Sequence, residues 1–377
     1  MKYINVFQPI IFYKDIFNVT KALIKKNISG SSSIVKDFEY ELCNLFDRKY
    51  CVSTSNGTAA LIIALESQGF KENDEVIVPS FTIISCLLAI VKAGLKPVFC
   101  DVDSETWNMT IENVKNVATK NTKAVLMVHT YGLTADADEI EIFCKDNNIV
   151  LIEDASEAHG QFYNSRKCGT YGKISTLSFY ANKHITSGEG GAVLLDDKEN
   201  YLKLRQMINL DFDSSKRFQH DNLYENYRIS GLSAALGKSQ IKSIKKIIDF
   251  KNKQASYYNL LFEELDEYIK TQKISSTNSN NQYWVYGLLL DNKINRDNLV
   301  KHLNDKNIES RPFFWPLHLQ NAYLNLDLSK KINLPVSESL GSQGLYIPMG
   351  KHVRKKKQLY IFNVIKNYLK DLKLINE

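Results

Sequence analysis

The chain has 377 residues, 44% of them hydrophobic and 24% charged, which is ordinary for a soluble globular protein and long enough for a large domain plus a smaller one. Its 48 basic and 42 acidic residues leave a net charge of +6, a mild excess that suits anionic small molecules and falls short of a nucleic-acid signature. No run is long and apolar enough to span a bilayer, no secretory leader follows Met1, and six cysteines without a C-x-x-C pair suggest a reduced, cytoplasmic setting.

Residues 1–50 read as an extended arm followed by helices, with Phe38, Leu42, Leu45 and Phe46 at helical spacing. A short strand, 50–53, runs through the polar turn Thr54-Ser55-Asn56-Gly57-Thr58 into an apolar helix. That order makes an anion site, with free N–H groups at the positive end of a helix; an ordinary N-cap by Ser55 or Thr58 is the plainer reading. The chain then alternates. Strands are expected at 75–79, 97–101, 124–128 and 149–152, with helices at 84–93, 111–117 and 135–147 between them. Strands that are apolar on both faces and separated by helices indicate an α/β fold with a mostly parallel central sheet. Two more strands, 175–179 and 192–195, flank the stretch Tyr180-Ala181-Asn182-Lys183-His184 and its glycines 188, 190 and 191.

Past Asp196 the pattern changes. One long helix is expected over 233–259, a polar loop over 275–281, a strand over 284–290 and a helix over 296–304. The aromatic segment Arg311 to His318, a strand near 345–348 and a terminal helix over 356–372 complete a smaller α+β unit. The basic run 351–357 reads as a solvated helix start, because no repeated basic stripe accompanies it. The division expected is 1–240, a large domain with its N-terminal arm, and 241–377, a small C-terminal domain.

Ligands of such sheets bind outside the strand carboxyl ends. Three polar stations fall there: Thr54 to Thr58, Glu153 to Gly160, and the Lys183 stretch. On residue types alone, Lys183 is a surface lysine before a glycine turn, and Asp154 is a helix cap. Taken together, an acid at a strand end, an anion-binding turn and an amine beside an apolar run are what a pyridine-aldehyde phosphate needs. The amine forms a Schiff base, the carboxylate faces the ring nitrogen, and the turn takes the phosphate.

The chain resembles the DegT/DnrJ/EryC1/StrS family of sugar aminotransferases, which have fold type I and depend on pyridoxal 5′-phosphate. The resemblance runs from Gly30 to Pro348. It is carried by Ser55-Asn56-Gly57-Thr58-Ala59-Ala60-Leu61, Glu153–Gly160, Ser178–Gly191 and Asn226-Tyr227-Arg228. It implies a cofactor that cycles through pyridoxamine 5′-phosphate, with Lys183 as its covalent anchor and Asp154 at the pyridine nitrogen. Asn56, Gly57, Thr58 and Ser178 would lie at the phosphate and Glu157 near the ring hydroxyl. Asn226 would reach the cofactor of a neighbouring subunit, so a homodimer would be the smallest active unit. No metal is implied.

Two departures matter. Where the family commonly stacks an aromatic residue on the ring, this chain has Ile83; either an aliphatic face covers the ring or Phe81 turns in. A related branch of sugar 3-dehydratases replaces the lysine with histidine, whereas here Lys183 is present and His184 follows it. Within the family the Lys183 stretch and the Arg311–His318 segment look most like perosamine synthases. That implies transfer of an amino group from L-glutamate to C4 of a keto sugar nucleotide, in surface polysaccharide or other glycan synthesis. Phe81, His184, Arg311, Phe313 and His318 are then candidates for the sugar. A 3-dehydratase, a 3-aminotransferase and a regulator that kept the fold are the alternatives.

Overall fold

The computed structural model describes residues 2–212, 215–216, 218–274, 281–326 and 332–376. Most of the polar loop expected at 275–281 lies outside them. Helices α1 (Tyr13–Ile24) and α2 (Ser33–Phe46) precede the first strand. Strands β1 (Tyr50–Thr54), β2 (Glu75–Pro79), β3 (Lys96–Cys100), β4 (Thr122–Val128) and β5 (Val150–Asp154) then alternate with α3 (Gly57–Glu66), α4 (Ile84–Lys92), α5 (Ile111–Val117) and α6 (Ala137–Asp146). A small hairpin, β6 (Phe162–Tyr163) and β7 (Arg166–Lys167), leads to β8 (Ile174–Ser178) and β9 (Gly191–Leu195).

Seven of these strands form one sheet in the order β1-β9-β8-β5-β4-β2-β3. Only β9 runs against the others. The central parallel strands are buried on both faces along most of their length, which is why their sequences read as apolar runs rather than alternating ones. Helix α3 is buried from Ala59 to Leu65 and packs on β8 and β9, so it has no polar face. Its first turn therefore points at the carboxyl edge of the sheet.

Helices α7 (Lys198–Met207), α8 (Gly231–Ile241) and α9 (Ile244–Phe262) follow. The single helix expected over 233–259 is two. Helix α8 packs on α1 and α2, whereas beyond this break, past Ile244, α9 runs on to pack on the last helix, α13 (Lys355–Asp371), in a different core. We propose that the two lobes divide at this break. The second sheet is antiparallel, in the order β10 (Ile269–Lys270), β11 (Tyr286–Leu290), β13 (Gly344–Ile347) and β12 (Arg311–Pro312). Helices α10 (Arg296–Asp305), α11 (Asn321–Leu324) and α12 (Pro335–Gln343) complete the lobe. The N-terminal arm, assigned by sequence to the large domain, lies along this smaller lobe instead. Ile4 is buried in its core and bonds to Asn307 and Glu309, and Val6 accepts from Met349 N–H.

Strand alternation on β5 separates scaffold from site. Glu153 and Asp154 are adjacent and point to opposite faces. Glu153 accepts from Gly169 N, Tyr171 N, Ser175 Oγ and His129 Nε2, all buried. His129 Nδ1 takes the Ala135 N–H, so the ring is a neutral donor to Glu153. Cys168 Sγ lies close to these groups, but the histidine and carboxylate already satisfy one another, and the cluster is structural.

Arg48 extends the same network. Its guanidinium donates to the carbonyls of Gly169, Tyr171 and Gly172, to Ser175 Oγ and to Asp196. Its side chain is 5% exposed, so most of the guanidinium is satisfied by protein acceptors. Arg48→Met should cost about 3–5 kcal/mol of unfolding free energy in urea denaturation at unchanged m, because several buried acceptors lose their donor together. A loss under about 1 kcal/mol would show that those carbonyls find other partners.

Candidate active site

Three strand ends build the site. At the end of β1 the chain turns through Ser55 and Asn56 into α3. Asn56 Oδ1 caps this helix by accepting from Ala59 N at 2.8 Å. The Gly57 and Thr58 N–H groups remain at the open first turn, where the helix dipole favours an anion. Ser178, the last residue of β8, stands against Gly57 so closely that a Cβ there would lie 2.8 Å from the serine Cβ. Thr58 Oγ1 bonds Ser85 Oγ at 2.8 Å, which brings a third hydroxyl from the start of α4. Gly191 is needed for the same reason as Gly57: a Cβ on it would meet the Asn56 carbonyl at 2.4 Å. The result is a cradle of backbone N–H and hydroxyl groups.

Asp154, at the end of β5, is 2% exposed. Its Oδ1 accepts from Ser156 N at 3.1 Å and from Thr176 Oγ1 at 3.3 Å, which fixes the carboxylate plane. Lys183 lies in the turn between β8 and β9, and its side chain is 9% exposed. Its Nζ sits 3.1 Å from Glu157 Oε1 and 3.8 Å from the centroid of the Trp284 ring. Glu157 Oε2 in turn accepts from Tyr131 N at 2.9 Å. Burial pushes the Glu157 carboxyl above its ordinary range, opposed by the Lys183 charge and the Tyr131 N–H. Tyr131 adopts φ = 63°, a left-handed conformation costly for an aromatic residue, and its hydroxyl accepts from Phe314 N. That one residue joins Glu157 to the loop from the smaller lobe.

These groups line one cavity of about 360 Å³. Asn56, Gly57, Thr58, Asp154, Glu157, Ser178 and Lys183 all reach it. Asn226 does not; it lies exposed beside Arg228, whose Nε donates to its Oδ1. The cavity also takes in Tyr180, Trp284, Phe314 and Tyr346, residues not singled out by sequence as ligands. Ile83 lines the cavity and is 38% exposed, so the aliphatic side chain, not Phe81, faces the space.

The five residues proposed for the sugar stand off this cavity, each for a packing reason. Phe81 and Phe313 are buried in an aromatic cluster with Tyr131 and Trp107, at centroid distances of 4.9 to 5.7 Å. Alternation after β12 turns Phe313 inward and Phe314 toward the cavity. His318 is held by Ser80 Oγ at 2.6 Å and Glu338 at 3.2 Å, which fastens its loop to the end of β2. Arg311 stacks on Phe7 and pairs with Glu309, its guanidinium half-exposed. His184 turns away from the cavity and donates Nε2–H to the Gln282 carbonyl.

Residues 11–366 match the DegT/DnrJ/EryC1/StrS aminotransferase family. The chain belongs to that family. It is 34% identical to a GDP-perosamine synthase of Escherichia coli O157:H7, over 98% of this chain and 100% of the relative. A GDP-perosamine synthase of Vibrio cholerae is 35% identical over 90% of this chain and 92% of its own length. Among solved structures, E. coli GDP-4-keto-6-deoxy-D-mannose-3-dehydratase with bound hydrated PLP superimposes with a TM-score of 0.89 at 25% identity, covering 97% of this chain and 99% of that one. The chain is a pyridoxal phosphate-dependent aminotransferase, as the resemblance implied.

The residues present fit that cofactor. The cradle at Gly57 and Ser178 is shaped for a phosphate, and a buried carboxylate and a buried amine share the cavity with it. Gly57→Val should weaken pyridoxal phosphate binding at least tenfold in absorbance titration while leaving the far-ultraviolet circular dichroism unchanged, because its side chain must displace Ser178. Unchanged affinity would remove the cradle from the cofactor site.

Proposed function

We propose that this aminotransferase carries an amino group from L-glutamate to the C4 keto carbon of a keto sugar nucleotide, in the manner of a GDP-perosamine synthase. The observation that carries the reading is Lys183, a buried amine held by Glu157 and the Trp284 face in the cavity that also contains Asp154. The relatives named GDP-perosamine synthase support the sugar nucleotide and the position of transfer. A 3-dehydratase is a weaker match at 26% identity, and the lysine kept at 183 favours transamination over that reading.

The chain's own groups divide the work. When bound, pyridoxal phosphate supplies an electron-withdrawing ring that accepts the electron pair left when the donor's α C–H bond breaks. Asp154 would face the ring nitrogen and favour its protonated form, which strengthens that withdrawal. Lys183 Nζ would anchor the cofactor, then take the donor's α-proton and deliver it to the carbon that carried the aldehyde. Glu157 and Trp284 would hold the freed amine in reach. The cradle hydroxyls and N–H groups fix the phosphate end. Among the described residues lining the cavity, the acids are Asp154, Glu157 and Glu189 and the only cation is Lys183. The anionic groups of a nucleotide therefore need donors from elsewhere.

A second copy of the chain is the source we propose. Tyr13, Phe17 and Ile24 on α1 are 93, 66 and 76% exposed, an apolar stripe unlike a solvated helix face. Near Asn226, Leu223 is also fully exposed. A homodimer would cover both and would bring Asn226 to the neighbouring cofactor. Six unpaired thiols among the described residues support a cytoplasmic setting.

Two measurements test this. Borohydride treatment of the holoenzyme should fix the cofactor's mass on the peptide containing Lys183, and Lys183→Ala should lose at least about a thousandfold in kcat. A panel of keto sugar nucleotides with L-glutamate, read by product mass and NMR, should give the 4-amino sugar; turnover without L-glutamate would indicate dehydration instead. For the shared site, Lys183→Ala chains mixed with Asn226→Ala chains should regain sites of wild-type cofactor affinity and activity. If Asn226 acted within its own subunit, no hybrid would contain a complete site.

A further inference from the structure

Behind Lys183 lies a second, smaller chamber of about 30 Å³. It shares four wall residues with the active-site cavity: Asn182, Lys183, Trp284 and Tyr346. Its far wall is Lys251 of α9, a lysine 7% exposed, whose Nζ donates to the Trp284 carbonyl at 2.7 Å. No carboxylate pairs with it among the described residues. Two other polar atoms of the walls are buried without a partner, His184 Nδ1 and Asn182 Oδ1. His184 gives its one proton to Gln282, so its Nδ1 is an acceptor. An ammonium with donors to spare and two orphaned acceptors around a space of this size fit one or two ordered waters.

We propose that Lys251 is a positioning residue for the transamination: across this hydrated chamber it anchors Trp284 against Lys183 and sets the charge that Lys183 feels from behind. Two ammonium groups facing one low-dielectric chamber disfavour one another. Burial and the Lys183 charge bring the Lys251 amine down to about 7, so it carries a proton on the acid side of neutrality. The other titratable groups around the chamber do not offset this. His184 and the neighbouring His159 are kept neutral by burial, Glu157 is engaged by Lys183, Tyr346 is held neutral by burial, and the arm from Val6 to Ile10 contributes none. A charged Lys251 therefore places a positive field behind the amine that attacks the cofactor and takes the α-proton. This inference rests on the role of Lys183 given above.

The test uses the holoenzyme. The first half-reaction with L-glutamate is followed by the cofactor's absorbance across pH, for wild type, Lys251→Met and Lys251→Arg. Methionine fills the space without charge, so the acidic limb of the profile should move up by about half a pH unit or more. Arginine keeps the charge and a donor for Trp284, and should return the limb toward wild type. Superimposable limbs for wild type and Lys251→Met would overturn the proposal. If Lys251→Met fails to fold, Lys251→Gln takes its place. A high-resolution crystal structure of the wild type decides independently: a water touching Lys251 Nζ and either His184 Nδ1 or Asn182 Oδ1 is expected, and a dry chamber would refute it. Should L-glutamate produce no absorbance change in the wild type, the donor assignment fails while the crystallographic result still decides the chamber.

Discussion

A buried ammonium needs an answer, and in this protein the answer to Lys183 organises everything around it. Glu157 supplies the opposite charge, Trp284 supplies a π face, and each comes from a different part of the chain. Glu157 belongs to the segment after β5 and Trp284 to the approach to β11 in the smaller lobe. The ion pair is buried, so neither partner can be left alone without leaving an uncompensated charge. The two parts of the chain are therefore coupled through this amine. Tyr131 strengthens the coupling, since its N–H serves Glu157 and its hydroxyl serves the Phe314 backbone.

The large lobe supplies rigidity where the chemistry requires it. Asp154 can face a cavity because Glu153, its neighbour on the opposite face of β5, is locked by four donors and backed by Arg48. A carboxylate at a strand end would otherwise drift with its loop. The strands on either side of β5 run parallel to it, so β4, β5 and β8 all deliver their ends to one edge. Helix α3, apolar on every side, cannot shift toward solvent, and its first turn is held against Ser178 with no room for a side chain. The cradle is thus mostly backbone geometry, with few flexible side chains to order.

The large lobe was legible because its signals are local or periodic. Apolar runs between helices imply a covered parallel sheet, and the rule that ligands sit at carboxyl ends then brings Thr54–Thr58, Glu153–Gly160 and the Lys183 turn together. What eluded the sequence depends on how the two lobes meet. Nothing local marks Trp284, Phe314 or Tyr346 as cavity residues; they are aromatic residues in or beside strands and read as core. Within Phe313-Phe314 only the strand register tells which ring faces the cavity, and a slip of one residue exchanges the two. The long helix over 233–259 misled for a similar reason. Its apolar periodicity is continuous through the break, yet α8 and α9 serve different cores. His184 and His318 entered as candidates for the sugar through the perosamine synthase resemblance, but each already has backbone or side-chain partners in the fold.

The same coupling explains why a second lysine can be tolerated behind the first. A buried Lys251 without a carboxylate is costly, and an apolar residue would pack there with less penalty. What Lys251 holds is the Trp284 carbonyl, directly behind the indole that faces Lys183. Its amine therefore acts on the site by two routes, one mechanical through the tryptophan backbone and one electrostatic through the chamber. Both would be lost together if α9 moved relative to the sheet. Any change in how α9 sits against the sheet would alter the position of the indole and the field at Lys183 together, because one side chain carries both.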